Sequence, residues 1–199
     1  MGDIAIKHLS GGAIEPWIPD LASLRIRVFR DFPYLYDGTA EYEEIYLQTY
    51  LESPDSLIVL ALDGDKVIGA STGLPMADET QEFQRPFIDQ GYDPAKIFYC
   101  AESVLLKEYR GKGIYKQFFT GREGHARMLG FDWASFCCVQ RPADHPLRPP
   151  DYVPLDAVWT KFGYVKKPEL RTSYSWKDVD QGEETDHEMM FWLKSLEEP

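Results

Sequence analysis

Between residues 98 and 119 the chain reads FYCAESVLLKEYRGKGIYKQFF. An apolar run, 98–106, leads into the turn Arg110-Gly111-Lys112-Gly113, and helically spaced apolar residues resume at Ile114. A glycine turn at the start of a helix points unpaired backbone N–H groups outward, where they can grip phosphate oxygens. Lys107, Arg110, Lys112 and Lys116 cluster there, in a chain whose formal net charge is −12. A cationic island at a helix N-terminus is what a pyrophosphate needs.

Other residues with chemical potential carry weaker patterns. Gly69-Ala70-Ser71-Thr72-Gly73 matches Gly-x-Ser-x-Gly, the nucleophile elbow of serine hydrolases. That motif requires a strand, a sharp turn and then a helix. Leu74-Pro75-Met76 follows here, which starts no regular helix, so a hydrolase at Ser71 is a remote alternative. His8, His125, His145 and His187 are scattered without metal-ligand spacing, and no metal is expected. There is no Gly-x-x-x-x-Gly-Lys-Ser/Thr sequence to support nucleotide hydrolysis.

Composition narrows the class. The 199 residues suit one domain, 1–199, with a sizeable core, and the 44% hydrophobic content is that of a globular chain. The acidic balance argues against nucleic acid as a partner and favours small cations such as amines. No apolar segment approaches the ~20 residues of a membrane span, so no membrane partner is expected. Three cysteines, two of them adjacent (Cys137, Cys138), make no disulfide framework. A reducing, cytoplasmic setting follows as the expectation.

The elements that must position the turn can be read in order. Alternation predicts a strand over 3–9, and a helix starts near Pro19-Asp20 with Leu21, Leu24 and Val28 on one stripe. A second helix begins near Thr39, carrying Tyr42, Tyr46 and Tyr50, which read as core packing. Asp63-Gly64-Asp65 joins strands 56–62 and 66–76 as a hairpin. A short helix is expected over 84–90. The strand 98–106 and the helix from Ile114 to Leu129 follow, the latter closed by Gly130. A strand over 133–140, a proline-rich loop over 141–154, a helix over 155–162 and strands over 171–179 and 188–194 complete the chain.

The turn resembles motif A of the GCN5-related N-acetyltransferase (GNAT) family, Gln/Arg-x-x-Gly-x-Gly/Ala. Arg110 and Gly113 match, while Tyr115 stands where the family has Gly or Ala. The segment 155–164, LDAVWTKFGY, resembles the family's closing helix, Ala-x-x-hydrophobic-Tyr-x-Lys-x-Gly-Phe. The element order is also the family's. The resemblance implies an α+β fold, a mixed and mostly antiparallel sheet flanked by helices, and acetyl-coenzyme A as cosubstrate. It implies that Gly111, Lys112, Gly113, Ile114 and Tyr115, with Arg110, hold the pyrophosphate. The pantetheine arm would run along Ser103, Val104 and Leu105, where strands 98–106 and 133–140 splay apart. A homodimer through the last strands is common for this fold.

The implied reaction is direct attack of a neutral amine on the thioester in a ternary complex. Glu102, in the apolar strand, is the candidate base, since desolvation raises a carboxylate's pKa. By strand alternation it shares a face with Cys100 and Val104, opposite Tyr99, although a bulge could move it to either side, and a core role is an equal reading. The family's usual acid is a tyrosine, replaced here by Trp159, and Tyr152 is the nearest phenol in sequence. Phe32, Tyr34, Tyr36 and Asp37 would face a small-molecule amine, with Arg141 and His145 on the opposite wall. The alternative of a different class is an acetyl-coenzyme A sensor or scaffold with little catalysis, which Tyr115 and Trp159 favour.

Overall fold

The computed structural model describes residues 3–197, so the outermost residues of the expected 1–199 domain, 1–2 and 198–199, lie outside the described residues. The strands are β1 (Ile4–Leu9), β2 (Leu57–Asp63), β3 (Lys66–Pro75), β4 (Ile97–Tyr99), β5 (Ser103–Leu105), β6 (Trp133–Val139), β7 (Val165–Lys177) and β8 (Glu184–Ser195). The helices are α1 (Ile18–Phe29), α2 (Ala40–Glu52), α3 (Gln81–Asp89), α4 (Ile114–Met128) and α5 (Asp156–Lys161). They form a mixed α+β fold around one sheet in the order β1-β2-β3-β4-β6-β8-β7, with β5 also paired to β3. Every pairing is antiparallel except β4 with β6.

The sheet forms because its central strands can be buried on both sides. In β2 the run Leu57 to Leu62 is entirely buried, and β3 is buried from Ile68 to Pro75. Continuous apolar runs of this kind need cover on each face. Helices α1 and α2 supply it on one side through Leu21, Leu24, Leu47 and Tyr50, and α4 on the other through Phe118, Phe119 and Ala126.

The expected strand 98–106 is broken. Tyr99 pairs with Leu74 and Ser103 with Ser71, so three residues of one strand, Cys100 to Glu102, face two of the other, Thr72 and Gly73. One extra residue makes a β-bulge, which turns the side chains after it onto the other face. Glu102 therefore shares the α1–α2 face with Tyr99, while Cys100 faces α4 beside Arg122 and Tyr164. This corrects the simple alternation, which places Glu102 with Cys100 and opposite Tyr99. Arg122 anchors the bulge from α4, donating from Nη1 to the carbonyls of Glu102 (2.9 Å) and Thr72 (3.4 Å).

The last hairpin is also longer than its sequence reads, since β7 starts at Val165 and β8 at Glu184. Pro168 lies in the register shift between Lys167 and Arg171, so its missing N–H interrupts no regular ladder. Ser71, buried in the middle of β3 between Val59 and Ser103, has no strand-to-helix turn, which removes the hydrolase alternative. No helix among the described residues is long and apolar enough to cross a membrane.

Candidate active site

The glycine turn opens α4. Gly111 (φ +77°) and Gly113 (φ +80°) occupy left-handed backbone, which glycine adopts without steric cost, and nothing stands within 4 Å of where a Cβ would be on either. Gly113 caps the helix with no side-chain bond, and the first backbone bond across the turn is from Lys116 N to Gly113 O. The amides of Gly111, Gly113, Ile114 and Tyr115 have no hydrogen-bond acceptor among the described residues. These unpaired donors on open ground fit a pyrophosphate.

Beside the turn the sheet opens into a wedge. Strands β4 and β6 run together only from Ile97 and Trp133 to Tyr99 and Ser135, closed by Cys100 N on Ser135 O at 2.7 Å. Beyond that point β5 pairs with β3 alone and β6 with β8 alone. Register settles which backbone groups face the gap. Thr72 N bonds Glu102 O and Leu106 N bonds Ile68 O, so the groups of Val104 between them are directed at β3 and those of Ser103 and Leu105 away from it. By the same alternation from Gln140 N on Glu188 O, the groups of Cys137 and Val139 face the gap from β6. Leu105 O takes Arg110 Nε at 3.4 Å. The wedge is thus edged on both sides by strand backbone that an extended, amide-bearing chain can pair with. Ser103 and Leu105 fit the expected pantetheine contact, whereas the backbone of Val104 belongs to β3.

Tyr115 keeps its amide at the turn and sends its ring away from it. The ring packs on Phe119 and Phe162, with centroids 5.1 and 6.2 Å apart, and its hydroxyl accepts from Trp159 Nε1 at 3.0 Å. Trp159 rests on Phe136 and Trp192, at 5.1 and 5.2 Å. The two residues that depart from the family pattern are therefore bonded to each other.

On the other face of the sheet a polar cluster surrounds the bulge. Arg25 ion-pairs with both Glu43 and Glu102, and all three side chains are buried. Tyr46 and Tyr50 donate to Glu102 Oε2 at 3.3 and 3.4 Å, and Thr72 Oγ1 donates to Tyr50 at 2.9 Å. The Tyr42 and Tyr174 hydroxyls share a bond of 2.8 Å. The tyrosine stripe of α2 is more than core packing: its hydroxyls meet Glu102 and β7, and Tyr42 is exposed. Burial, reinforced by Glu102 and Asp78, raises the Glu79 carboxyl to about 7, against the opposing pull of the Thr80 amide. Glu79 acts electrostatically on Tyr46, Tyr50, Tyr99 and Cys137, so it belongs to the same polar cluster. Nothing local marks Glu79 in the sequence.

Tyr34 links the two halves. Burial pushes its phenol well above the ordinary range, and the neighbours adding to this are Cys137, Cys138, Tyr115 and Glu102. Phe32 meets Tyr152 edge-on at 4.7 Å and His145 at 5.7 Å, joining the loop after α1 to the proline-rich loop. Burial and the neighbouring Glu43 raise the Tyr36 phenol, and its ring lies beneath Gly38.

Two expected contacts are occupied by the protein itself. Asp37 is paired with Arg30 at 2.8 Å and Lys177 at 2.7 Å, which hold it below the usual carboxylate range. Arg141 is buried and donates to Pro33 O, Tyr34 O and both carboxylate oxygens of Asp178. It fixes the loop that carries Tyr34. Burial pushes Cys138 up to about 11 and Cys137 further, so neither thiol is a ready nucleophile.

This arrangement is the GNAT acetyltransferase fold. No protein-family model matches the chain, and no curated protein matches it. Among solved structures it is similar to an N-acetyltransferase from Staphylococcus aureus Mu50, with a TM-score of 0.64 and 12% identity over 98% of this chain and all of that one. It is similar to the ribosomal-protein-alanine N-acetyltransferase of Brucella melitensis, with a TM-score of 0.62 and 13% identity over 96% and 99%. It is also similar to yncA from Salmonella typhimurium, solved with its cofactor acetyl-CoA, with a TM-score of 0.61 and 9% identity over 98% and 95%.

Proposed function

We propose that this protein is a GNAT-family enzyme that transfers an acetyl group from acetyl-coenzyme A directly to the primary amine of a small molecule. The observation that carries this is the wedge between β5 and β6 opening beside the unpaired amides at the start of α4. An anion site followed by two strand edges that pair with no strand across the gap is a cradle for a pyrophosphate continued by an amide-bearing chain. When bound, the cosubstrate supplies an activated acyl carbon.

Gly111, Lys112, Gly113, Ile114 and Tyr115 hold the pyrophosphate, and Ser103 and Leu105 orient the arm. The acceptor binds beside Phe32, Tyr34 and Tyr36, on the face of the sheet that carries Glu102 and Glu79. Glu102 is tied to Arg25, so its part is to set the field of the polar cluster. Glu79, with a pKa near neutrality, has the better match to a base for the amine. Asp37 and Arg141 hold the loop that carries Tyr34 through their ion pairs and hydrogen bonds.

The test is twofold. Calorimetry should show micromolar binding of acetyl-coenzyme A, and thiol release in the presence of a panel of small primary amines should show turnover. No binding would refute the proposal. Binding without turnover on any amine would favour the sensor reading.

A further inference from the structure

We propose that Arg122 is a positioning residue for the cosubstrate: from the middle of α4 it holds the bulge so that the Ser103 amide is presented to the gap as a strengthened donor. This rests on the acetyltransferase reading above and goes beyond it by naming the side chain that sets the grip on the pantetheine arm.

The burial of Arg122 needs a reason. Arg25 and Arg141 also have side chains at most 10% exposed, and each is paired with a carboxylate. Arg122 is 2% exposed, and no carboxylate lies within ion-pair distance of it among the described residues. Its Nε has no acceptor there either. Its cation is met by the Phe119 ring, 5.3 Å from Cζ, and by two backbone carbonyls. A buried charge without a counter-ion is costly, and an apolar side chain would fill the same space without that cost.

The two carbonyls belong to the bulge. In a regular antiparallel ladder a hydrogen-bonded pair exchanges two bonds. Thr72 N reaches Glu102 O at 3.1 Å, but among the described residues Glu102 N returns no bond to Thr72 O. Arg122 Nη1 takes that place on Thr72 O at 3.4 Å and adds a second bond on Glu102 O at 2.9 Å. The side chain therefore supplies the donor that the extra residue removes from the ladder.

Glu102 C=O and Ser103 N–H are the two ends of one planar peptide and point in opposite directions. With the oxygen on β3 and Arg122, the N–H is directed into the gap, where β5 has no strand partner. Two donors on the carbonyl, one of them a cation, polarise the peptide and make its N–H a better donor. Arg122 stands eight residues after Ile114, about 12 Å along the helix. One rigid element thus spaces the anion turn from the amide that meets the arm.

Wild type, Arg122→Met and Arg122→Lys should be titrated with acetyl-coenzyme A and with adenosine diphosphate, which carries a pyrophosphate and no arm. Amide NMR spectra follow both titrations and show whether each variant is folded. In the wild type both ligands should move the Gly111 and Gly113 resonances, and only acetyl-coenzyme A should also move Ser103. In Arg122→Met, acetyl-coenzyme A should bind about tenfold or more weakly while adenosine diphosphate stays within about twofold of wild type. Arg122→Lys, which keeps the cation, should lie between the two.

Unchanged acetyl-coenzyme A affinity in Arg122→Met, or an equal loss for both ligands, would overturn the assignment and leave the acetyltransferase reading intact. If Arg122→Met does not fold, the same comparison is made with Arg122→Lys. If neither folds, a Ser103 resonance that acetyl-coenzyme A leaves unmoved in the wild type overturns it. Failure of the wild type to bind acetyl-coenzyme A overturns both.

Discussion

Arg25 offers a sharp test of how the polar cluster around the bulge is held. Its guanidinium lies between Glu43 and Glu102, with side chains 10%, 0% and 6% exposed. Replacing it by Met keeps most of the volume and leaves two carboxylates in a low dielectric with no cation between them. Removing one partner of a buried ion pair costs about 3–5 kcal/mol, because the desolvation of the remaining charge is no longer offset. For a protein of this size that corresponds to a melting temperature lower by about 6–20 °C.

The cost should also depend on pH. The stranded carboxylates relieve it by binding protons in the folded state, so the gap between wild type and Arg25→Met should be widest at neutral pH and narrow toward acid. Adding Glu102→Gln to Arg25→Met should recover part of the loss, since the two sites are in contact and their effects cannot simply add. Urea unfolding followed by circular dichroism from pH 5 to 8 reads all of this. A variant within about 1 kcal/mol of wild type, or a gap unchanged across that pH range, would show that the cluster does not depend on Arg25 as argued.

Three further outcomes are expected. With the Glu79 pKa raised to about 7, its contribution to stability is full below about 4.5 and is lost as pH rises through 7; Glu79→Gln should remove up to about 3 kcal/mol of that slope in urea melts at successive pH values, and an unaltered slope would contradict the shift. Gly113→Asp should weaken acetyl-coenzyme A binding at least about 100-fold by calorimetry, because a carboxylate would oppose the pyrophosphate at the turn; affinity like the wild type's would argue against that site. A Cβ at Gly73 would stand 2.9 Å from Cζ of Phe98 and 3.1 Å from Tyr99 O, so Gly73→Ala should cost about 1–3 kcal/mol in chemical unfolding, and no loss would mean the bulge region yields freely.

What the sequence determined by itself is what depends on near neighbours. The glycine turn and the helix after it, the Asp63-Gly64-Asp65 hairpin and the order of elements were all legible, because turn chemistry and apolar periodicity act over a few residues. The opening of β5 from β6 was legible only through the family resemblance. Which face Glu102 occupies was decided in the tertiary structure: the bulge exists because β3 offers two residues against three, a count set by pairing over some thirty positions. The same holds for side chains whose role depends on distant partners. Arg141 reads as a wall of the acceptor site until Asp178 claims it, and Asp37 as the carboxylate facing the amine until Arg30 and Lys177 pair with it. Glu79 draws its raised pKa from burial and from Glu102, and Tyr115 finds Trp159 across 44 residues of sequence. Backbone preference is local, whereas desolvation and side-chain pairing belong to the packed chain, so the turn could be read from the sequence and the chemistry around it could not.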